Sequence, residues 1–181
     1  HAHRAGGVTR SAPNRAAPPA TVRFPGEEPF WDAARQGTLM ARRCQACGQL
    51  HYYPRVHCPL CGAADTTLEA LSGRATVYSF TRVERAPRPT APAVVETEEG
   101  LRIHTVVLDA DVHALRIGDP VVLRFVPSAD GTPVPAFTTP AAEAARAYSR
   151  AALQALGRPA DAAASSFARA AVIGAGHMGV G

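Results

Sequence analysis

The sequence predicts a mainly β fold that begins with a short helix and a metal-binding ribbon, continues as a small five-stranded barrel and is followed by a second helix. Two observations lead to this prediction. Four cysteines fall in two close pairs between residues 44 and 61, and five short stretches rich in β-branched or aromatic residues, joined by turns, follow between residues 74 and 137. A hydrophobic content of 46% with 19% charged residues is a globular composition.

The distribution of charge argues against nucleic acid as the main partner. The whole chain of 181 residues has a formal net charge of +4, but residues 74–137 hold seven arginines and eight acids, which gives −1. A nucleic-acid-binding barrel would carry an excess of basic residues on its own surface. Nucleic-acid binding is kept as the alternative function only because zinc ribbons and small barrels both serve that role.

Composition shifts divide the chain into six parts. We predict a mobile leader (1–29), a helix with a metal ribbon (30–73), a barrel (74–139), an Ala-rich helix (140–157), an Ala/Ser linker (158–167) and the start of a further domain (168–181). No run approaches the roughly 18 apolar residues that cross a membrane. Close cysteine pairs without a visible export signal favour metal over disulfides and predict a cytoplasmic protein.

Local patterns give the element boundaries. A helix is expected from Phe30 to Met40, broken at Gly37, and a loop is expected over the proline-rich residues 86–92. The barrel strands are predicted at residues 74–83, from 94 to a turn at 98–100, and at 101–108, 121–126 and 134–137, with the second of them short. Thr139 and Pro140 are typical of a helix start, and Gly157 of a helix end.

Two Cys-x-x-Cys-Gly sequences predict one structural zinc ion. Cys44 and Cys47 form the first pair and Cys58 and Cys61 the second, with ten residues between the pairs. Two residues between cysteines let one tight turn direct both sulfurs at a single point, and four thiolates leave no position open for a catalytic water. A mononuclear iron site of the same geometry and a set of free or disulfide-bonded cysteines remain the alternatives.

The two histidines of the cysteine segment are not expected to bind the metal. Because zinc prefers four ligands, we expect His51 and His57 to be solvated or hairpin-face residues and not a fifth ligand.

The order of motifs from the first helix to the barrel resembles one known family. The matching stretches are Phe30-Trp31, Gly37, Leu39, Arg43-Cys44, Cys47-Gly48, Pro54-Arg55, Cys58-Pro59, Cys61-Gly62, the run from Ser72 to Ser79 and the run from Ile117 to Val121. They are similar to the rubredoxin-like zinc-ribbon/OB-fold family known as domain of unknown function thirty-five. The resemblance covers about residues 29–139 and implies an OB-fold barrel.

The resemblance also implies a function. Members of that family are non-catalytic partners of thiolase-like enzymes, aldolases or acyl-CoA hydratases, and they hold the CoA part of a substrate or bridge subunits in an oligomer or hetero-complex. We therefore expect an acyl-CoA-associated accessory module of fatty-acid or steroid side-chain degradation. Six residues near the ribbon have side chains that could contact the phosphates and adenine of CoA, namely Arg42, Arg43, Arg55, Trp31, Tyr52 and Tyr53. For such residues, surface charge and packing are the more common roles.

The last residues carry a glycine motif. A strand-like run, residues 168–173, precedes Gly174, Gly176 and Gly179 at Gly-x-Gly-x-x-Gly spacing, which is typical of a dinucleotide-binding turn. The string is similar to the opening of 3-hydroxyacyl-CoA dehydrogenases and predicts an incomplete Rossmann strand that would bind NAD only in a longer fusion. A chance Gly-rich tail is the alternative.

No catalytic set stands out in the chain. The cysteines are assigned to metal, and His104 and His113 lie in or beside predicted strands, where structural roles are expected. Independent catalysis is therefore not expected of these residues.

Overall fold

The computed structural model describes residues 18–84 and 89–155. They form two helices and eight strands: α1 (Glu28–Arg35), β1 (Met40–Cys44), β2 (Leu50–His51), β3 (Thr66–Ala70), β4 (Arg74–Phe80), β5 (Ala91–Thr97), β6 (Arg102–Leu108), β7 (Pro120–Pro127), β8 (Pro133–Thr138) and α2 (Pro140–Ala155). The first three strands make one sheet in the order β2-β1-β3, and the other five make a closed barrel.

The barrel closes in the order β4-β5-β6-β8-β7, with β4 also paired to β7. All neighbours are antiparallel except β6 and β8. Because side chains alternate between the two faces of a strand, every second residue points into the barrel. The interior is filled by side chains that are at most 1% exposed, namely Val77, Val95, Ile103, Val121 and Phe137. The predicted fold class, a helix and ribbon followed by a five-stranded OB-fold barrel and a helix, is confirmed.

The second barrel strand is longer than predicted. We expected a short strand from Val94 to the turn at residues 98–100, after a loop over 86–92, but β5 already begins at Ala91 and pairs with β4 on one side and β6 on the other. Pro92 lies within the strand, opposite Val106. Barrel closure therefore extends the strand into a stretch whose proline content favours a loop.

The first helix holds the ribbon against the barrel. Phe30, Trp31 and Ala34 form its buried face, and Pro29 stands in its first turn, where the missing amide costs no helical hydrogen bond. The helix ends at Arg35, and Gly37 follows with a φ of +83°, a conformation that glycine adopts without strain. The helix therefore ends just before the predicted break at Gly37, and the prediction that it continues to Met40 is wrong, because Met40 begins β1.

The described part of the predicted leader contacts the barrel. The backbone amide of Ala129 donates to the carbonyl of Pro18 at 2.8 Å, and the Arg23 guanidinium donates to the hydroxyl of Thr132 at 2.5 Å. Pro18 and Arg23 therefore contact the loop between β7 and β8. Among the described residues, neither helix is long and apolar enough to cross a membrane.

Candidate metal centre

Two equivalent turns present the four cysteines. In the first, the amide of Gly48 donates to the carbonyl of Cys44 at 2.9 Å, and the amide of Cys44 donates to the carbonyl of Gln49 at 3.0 Å. The second turn has the same two hydrogen bonds, from the Gly62 amide to the Cys58 carbonyl and from the Cys58 amide to the Ala63 carbonyl, each at 2.9 Å. The identical spacing of the two Cys-x-x-Cys-Gly sequences thus gives two identical turns.

The glycine in each turn is required by its backbone angle. Gly48 has a φ of +70° and Gly62 a φ of +79°, both in the left-handed region that L side chains rarely adopt. A Cβ at either position would meet no heavy atom within 4 Å. The conformation, and not a lack of space, therefore explains the glycine after each cysteine pair.

The four sulfur atoms converge. Cys44 Sγ lies 3.5 Å from Cys61 Sγ, and Cys47 Sγ lies 3.8 Å from Cys58 Sγ. All four ligand atoms lie within 4.8 Å of one another. Four sulfurs bound at about 2.3 Å to one tetrahedral zinc ion would lie about 3.8 Å apart. The structure therefore brings together the four cysteines that the sequence predicted as ligands, in a geometry that suits one tetrahedral ion.

The electrostatics of the cluster also suit a cation. The backbone hydrogen bond from Cys47 leads the effects that lower the pKa of Cys44 to about 7. At Cys61 the Ala63 amide favours the thiolate, but the neighbouring cysteine side chains and burial outweigh it and raise the pKa to about 12. Four thiolates at this spacing repel one another, and a divalent cation between them would offset that repulsion.

The cluster lies at the surface of the ribbon. Cys44 and Cys58 are buried, Cys47 is half-buried and Cys61 is exposed. A chelator in solution can therefore reach the site from the Cys61 side.

The two histidines of the segment have different environments. His57 is exposed, as expected. His51, in β2 opposite Arg42, is only 4% exposed, and neither ring nitrogen has a hydrogen-bond partner among the described residues. Of the two environments that we expected for these histidines, solvated or on the hairpin face, His51 has the second, since it lies buried in a strand of the hairpin.

Replacing His51 should reveal its missing hydrogen bonds. A buried polar group without a partner costs roughly 1–3 kcal/mol, so His51→Leu, which removes both nitrogens at similar volume, should leave stability unchanged or raise it by about 1 kcal/mol. Urea unfolding monitored by circular dichroism measures this. His57→Leu, on the exposed side of the same segment, is the control. A loss of more than about 1 kcal/mol in His51→Leu alone would show that the ring has a structural partner.

The aromatic candidates for adenine binding pack inside the protein. The Phe30 ring lies 4.9 Å from the Trp31 ring and 5.5 Å from the Tyr53 ring, centroid to centroid. Tyr52 lies 6.3 Å from Phe30, and burial raises the pKa of the Tyr52 hydroxyl. The packing interpretation of Trp31, Tyr52 and Tyr53 therefore describes the structure.

The three arginines near the ribbon are arranged differently from one another. Arg43 forms a surface ion pair with Glu69 at 2.5 Å. Arg42 donates to the side chain of Thr66 at 3.2 Å. Arg55 is exposed. These arginines are spread over separate contacts and do not converge on one site.

One buried residue of this region gave no signal in the sequence. Glu27 is 5% exposed, and its Oε2 accepts hydrogen bonds from the Phe24 amide at 3.1 Å, from Trp31 Nε1 at 3.4 Å and from the Tyr53 hydroxyl at 3.1 Å. This carboxylate joins the segment before α1, the helix itself and the loop after β2. Its role depends on Tyr53, which is 26 residues away in the sequence.

The glycine motif lies outside the described residues. Gly174, Gly176 and Gly179 belong to the part of the chain after residue 155, and the NAD-binding prediction stays a prediction.

The ribbon with its four thiols and the closed barrel define the class as a zinc-ribbon/OB-fold protein. Residues 31–67 match the family model described as the ChsH2 rubredoxin-like zinc ribbon domain, and residues 68–126 match that of the ChsH2 C-terminal OB-fold domain. The chain therefore has the zinc ribbon and OB-fold domains of the DUF35 family. The predicted family is confirmed.

Named relatives come from bacteria and archaea. The chain is 33% identical over 114 residues to a probable enoyl-CoA hydratase alpha subunit of Thermomonospora curvata. The matched region covers 60% of this chain but only 36% of that subunit. It is 33% identical over 87 residues to a DUF35 domain-containing scaffold protein of Methanocaldococcus jannaschii, covering 44% of this chain and 62% of that protein. The chain thus spans about a third of the hydratase subunit and less than two thirds of this scaffold protein.

A solved structure has the same fold. A chain of the Ltp2-ChsH2(DUF35) aldolase is 29% identical, with a TM-score of 0.58, over 66% of this chain and 98% of that one. These relatives are a hydratase subunit, a scaffold protein and part of an aldolase.

Proposed function

We propose that this chain is a non-catalytic accessory module that serves an acyl-CoA enzyme, with its ribbon organised by one structural zinc ion. The observation that carries the proposal is the convergence of four cysteine sulfurs on one point in a DUF35-type ribbon. All four coordination positions of a tetrahedral ion are then taken by protein, so no position stays open for water or substrate. The metal would hold the fold and take no part in a reaction.

The names of the relatives support a partner enzyme of acyl-CoA chemistry. One is a probable enoyl-CoA hydratase subunit, and one solved relative is part of an aldolase. We infer that the partner of this chain is a hydratase or an aldolase, and we place both ahead of a thiolase-like enzyme. The module would bind the CoA part of the substrate at or near the interface and so keep it beside the partner's active site.

Calorimetry tests the acyl-CoA proposal. The chain is titrated with CoA thioesters alone and after co-expression with hydratase and aldolase subunits encoded in the same genome. We expect a stable complex with one of these enzymes and heat on addition of an acyl-CoA. Failure to form a complex with either class, together with no heat in any arrangement, would remove the proposal. Binding of single-stranded DNA with the salt dependence of phosphate contacts would favour the nucleic-acid alternative instead.

We further propose, from Gly174, Gly176 and Gly179, that a 3-hydroxyacyl-CoA dehydrogenase domain follows in the full-length gene product. Reading the gene beyond Gly181 tests this. A helix and then an acidic residue about 20 residues on are expected, and any other continuation would contradict it.

A further inference from the structure

Three arginines gather where the last described helix lies against the barrel. α2 contacts β7, and Arg146 and Arg150 lie one helical turn apart on α2, so their side chains share a face. Arg124 comes from β7, and its charge acts on Arg146. The packing of α2 on β7 thus places three arginines from two elements where their charges act on one another.

Arg124 is largely buried. Its side chain is only 16% exposed, and its Nη1 bonds the carboxylate of Asp109, which follows β6. Its Nε is buried and has no hydrogen-bond partner among the described residues. A buried guanidinium N–H with no protein partner is a donor that a water or an anion could satisfy.

Among the described residues, the acids of this cluster are fewer than its arginines. Asp109 pairs with Arg124, and Glu143 Oε1 pairs with Arg150 at 3.1 Å. Glu143 Oε2 is buried without a partner in the described part of the chain. The described residues thus contribute three arginines and two acids here, and within the described part of the chain no ion pair is shown for Arg146.

Arg146 lies near charges of both signs. Burial lowers the pKa of Arg146, and the charges of Arg124 and Arg150 lower it further, against the opposite effect of Glu143 and Asp109. A guanidinium in such a place gains from a bound anion, because the anion offsets the repulsion among the three arginines.

We propose that Arg146, with Arg124 and Arg150 beside it, binds a phosphate monoester, namely the 3′-phosphate of CoA. The identity of the ligand rests on the proposed function, whereas the preference for phosphate rests on the arginines alone. The planar guanidinium matches two phosphate oxygens, and a phosphate monoester carries a charge of about −1.5 to −2 at pH 7. The matched family models end at residue 126, so α2 and Arg146 are features of this chain outside the matched region.

Dephospho-CoA, which lacks only the 3′-phosphate, gives a direct test. Calorimetry on the full chain, with its partner enzyme where one is required, compares CoA with dephospho-CoA for the unmodified protein, Arg146→Gln and Arg35→Gln. Arg35 is the matched control, since it is a half-exposed arginine paired with an acid on α1. We expect CoA to bind about tenfold more tightly than dephospho-CoA, and we expect this preference to vanish in Arg146→Gln and persist in Arg35→Gln.

Two results would overturn the assignment. One is equal affinity of the unmodified protein for the two ligands, and the other is an undiminished preference in Arg146→Gln. Melting temperatures of both variants equal to that of the unmodified protein would show that both variants are folded.

A phosphate titration separates the site from the proposed function. Inorganic phosphate should shift the NMR signals of the Nε–Hε groups of Arg124 and Arg146, and sodium chloride at equal ionic strength should not. If CoA does not bind in any arrangement but phosphate moves these signals, the anion site stands and the proposed function fails. If phosphate has no more effect than chloride, the cluster is a solvated ion-pair network and the site is refuted.

Discussion

Replacing Cys58 with serine should abolish metal binding and unfold the ribbon while the barrel stays folded. A structural zinc site of this type contributes about 10–16 kcal/mol of apparent binding free energy, and in small metal-bound domains that energy drives folding. The sheet of the ribbon has strands of five, two and five residues. So small a sheet has little other stabilisation. The barrel has its own buried core and should retain its strands.

The effect is measured by metal content per chain, far-UV circular dichroism and limited proteolysis. Leu60→Ser is a matched control, because Leu60 stands between Cys58 and Cys61 in the same turn and is 66% exposed. It should keep one metal ion per chain and resist proteolysis like the unmodified protein. One metal ion per chain in Cys58→Ser, with an unchanged spectrum, would contradict the predicted ligand set.

Phe30→Ala should destabilise the protein by about 3–5 kcal/mol, the usual cost of removing a buried aromatic ring from a core. The Phe30 ring is 1% exposed and lies among the rings of Trp31, Tyr52 and Tyr53. Its loss leaves a cavity between α1 and the loop after β2. Since a small protein has only about 5–15 kcal/mol of stability, this is a large fraction of the total.

Chemical denaturation followed by tryptophan fluorescence measures this loss, because Trp31 touches the cavity. Tyr148→Ala is the control, since Tyr148 is 78% exposed on α2 and should change stability by no more than about 0.5 kcal/mol. If Phe30→Ala costs as little as Tyr148→Ala, α1 does not stabilise the ribbon in the way the contacts indicate.

Features with a fixed local signature could be predicted from the sequence. The Cys-x-x-Cys-Gly spacing determines its own turn, because the glycine with positive φ and two hydrogen bonds from backbone amides lie within six residues. The barrel strands also follow a local rule, since alternation places residues such as Val77 and Ile103 inside.

Features that depend on long-range contacts could not be predicted. Ala91 and Pro92 join β5 only because strands on both sides pair with it. The two-residue strand that holds His51 is too short for a periodic pattern to show burial. Glu27 is an ordinary acid in a Pro/Gly-rich stretch until Tyr53 folds onto it, and the charge of Arg124 acts on Arg146 only when α2 packs on β7.

The metal content of freshly purified protein tests the central claim most directly. Elemental analysis should find one zinc ion per chain, and a chelator that enters beside the exposed Cys61 should remove it, with a loss of circular dichroism from the ribbon and four thiols newly reactive to a thiol reagent. Protein that contains neither zinc nor iron, or whose spectrum is unchanged after complete removal of the metal, would show that the four cysteines do not organise the ribbon.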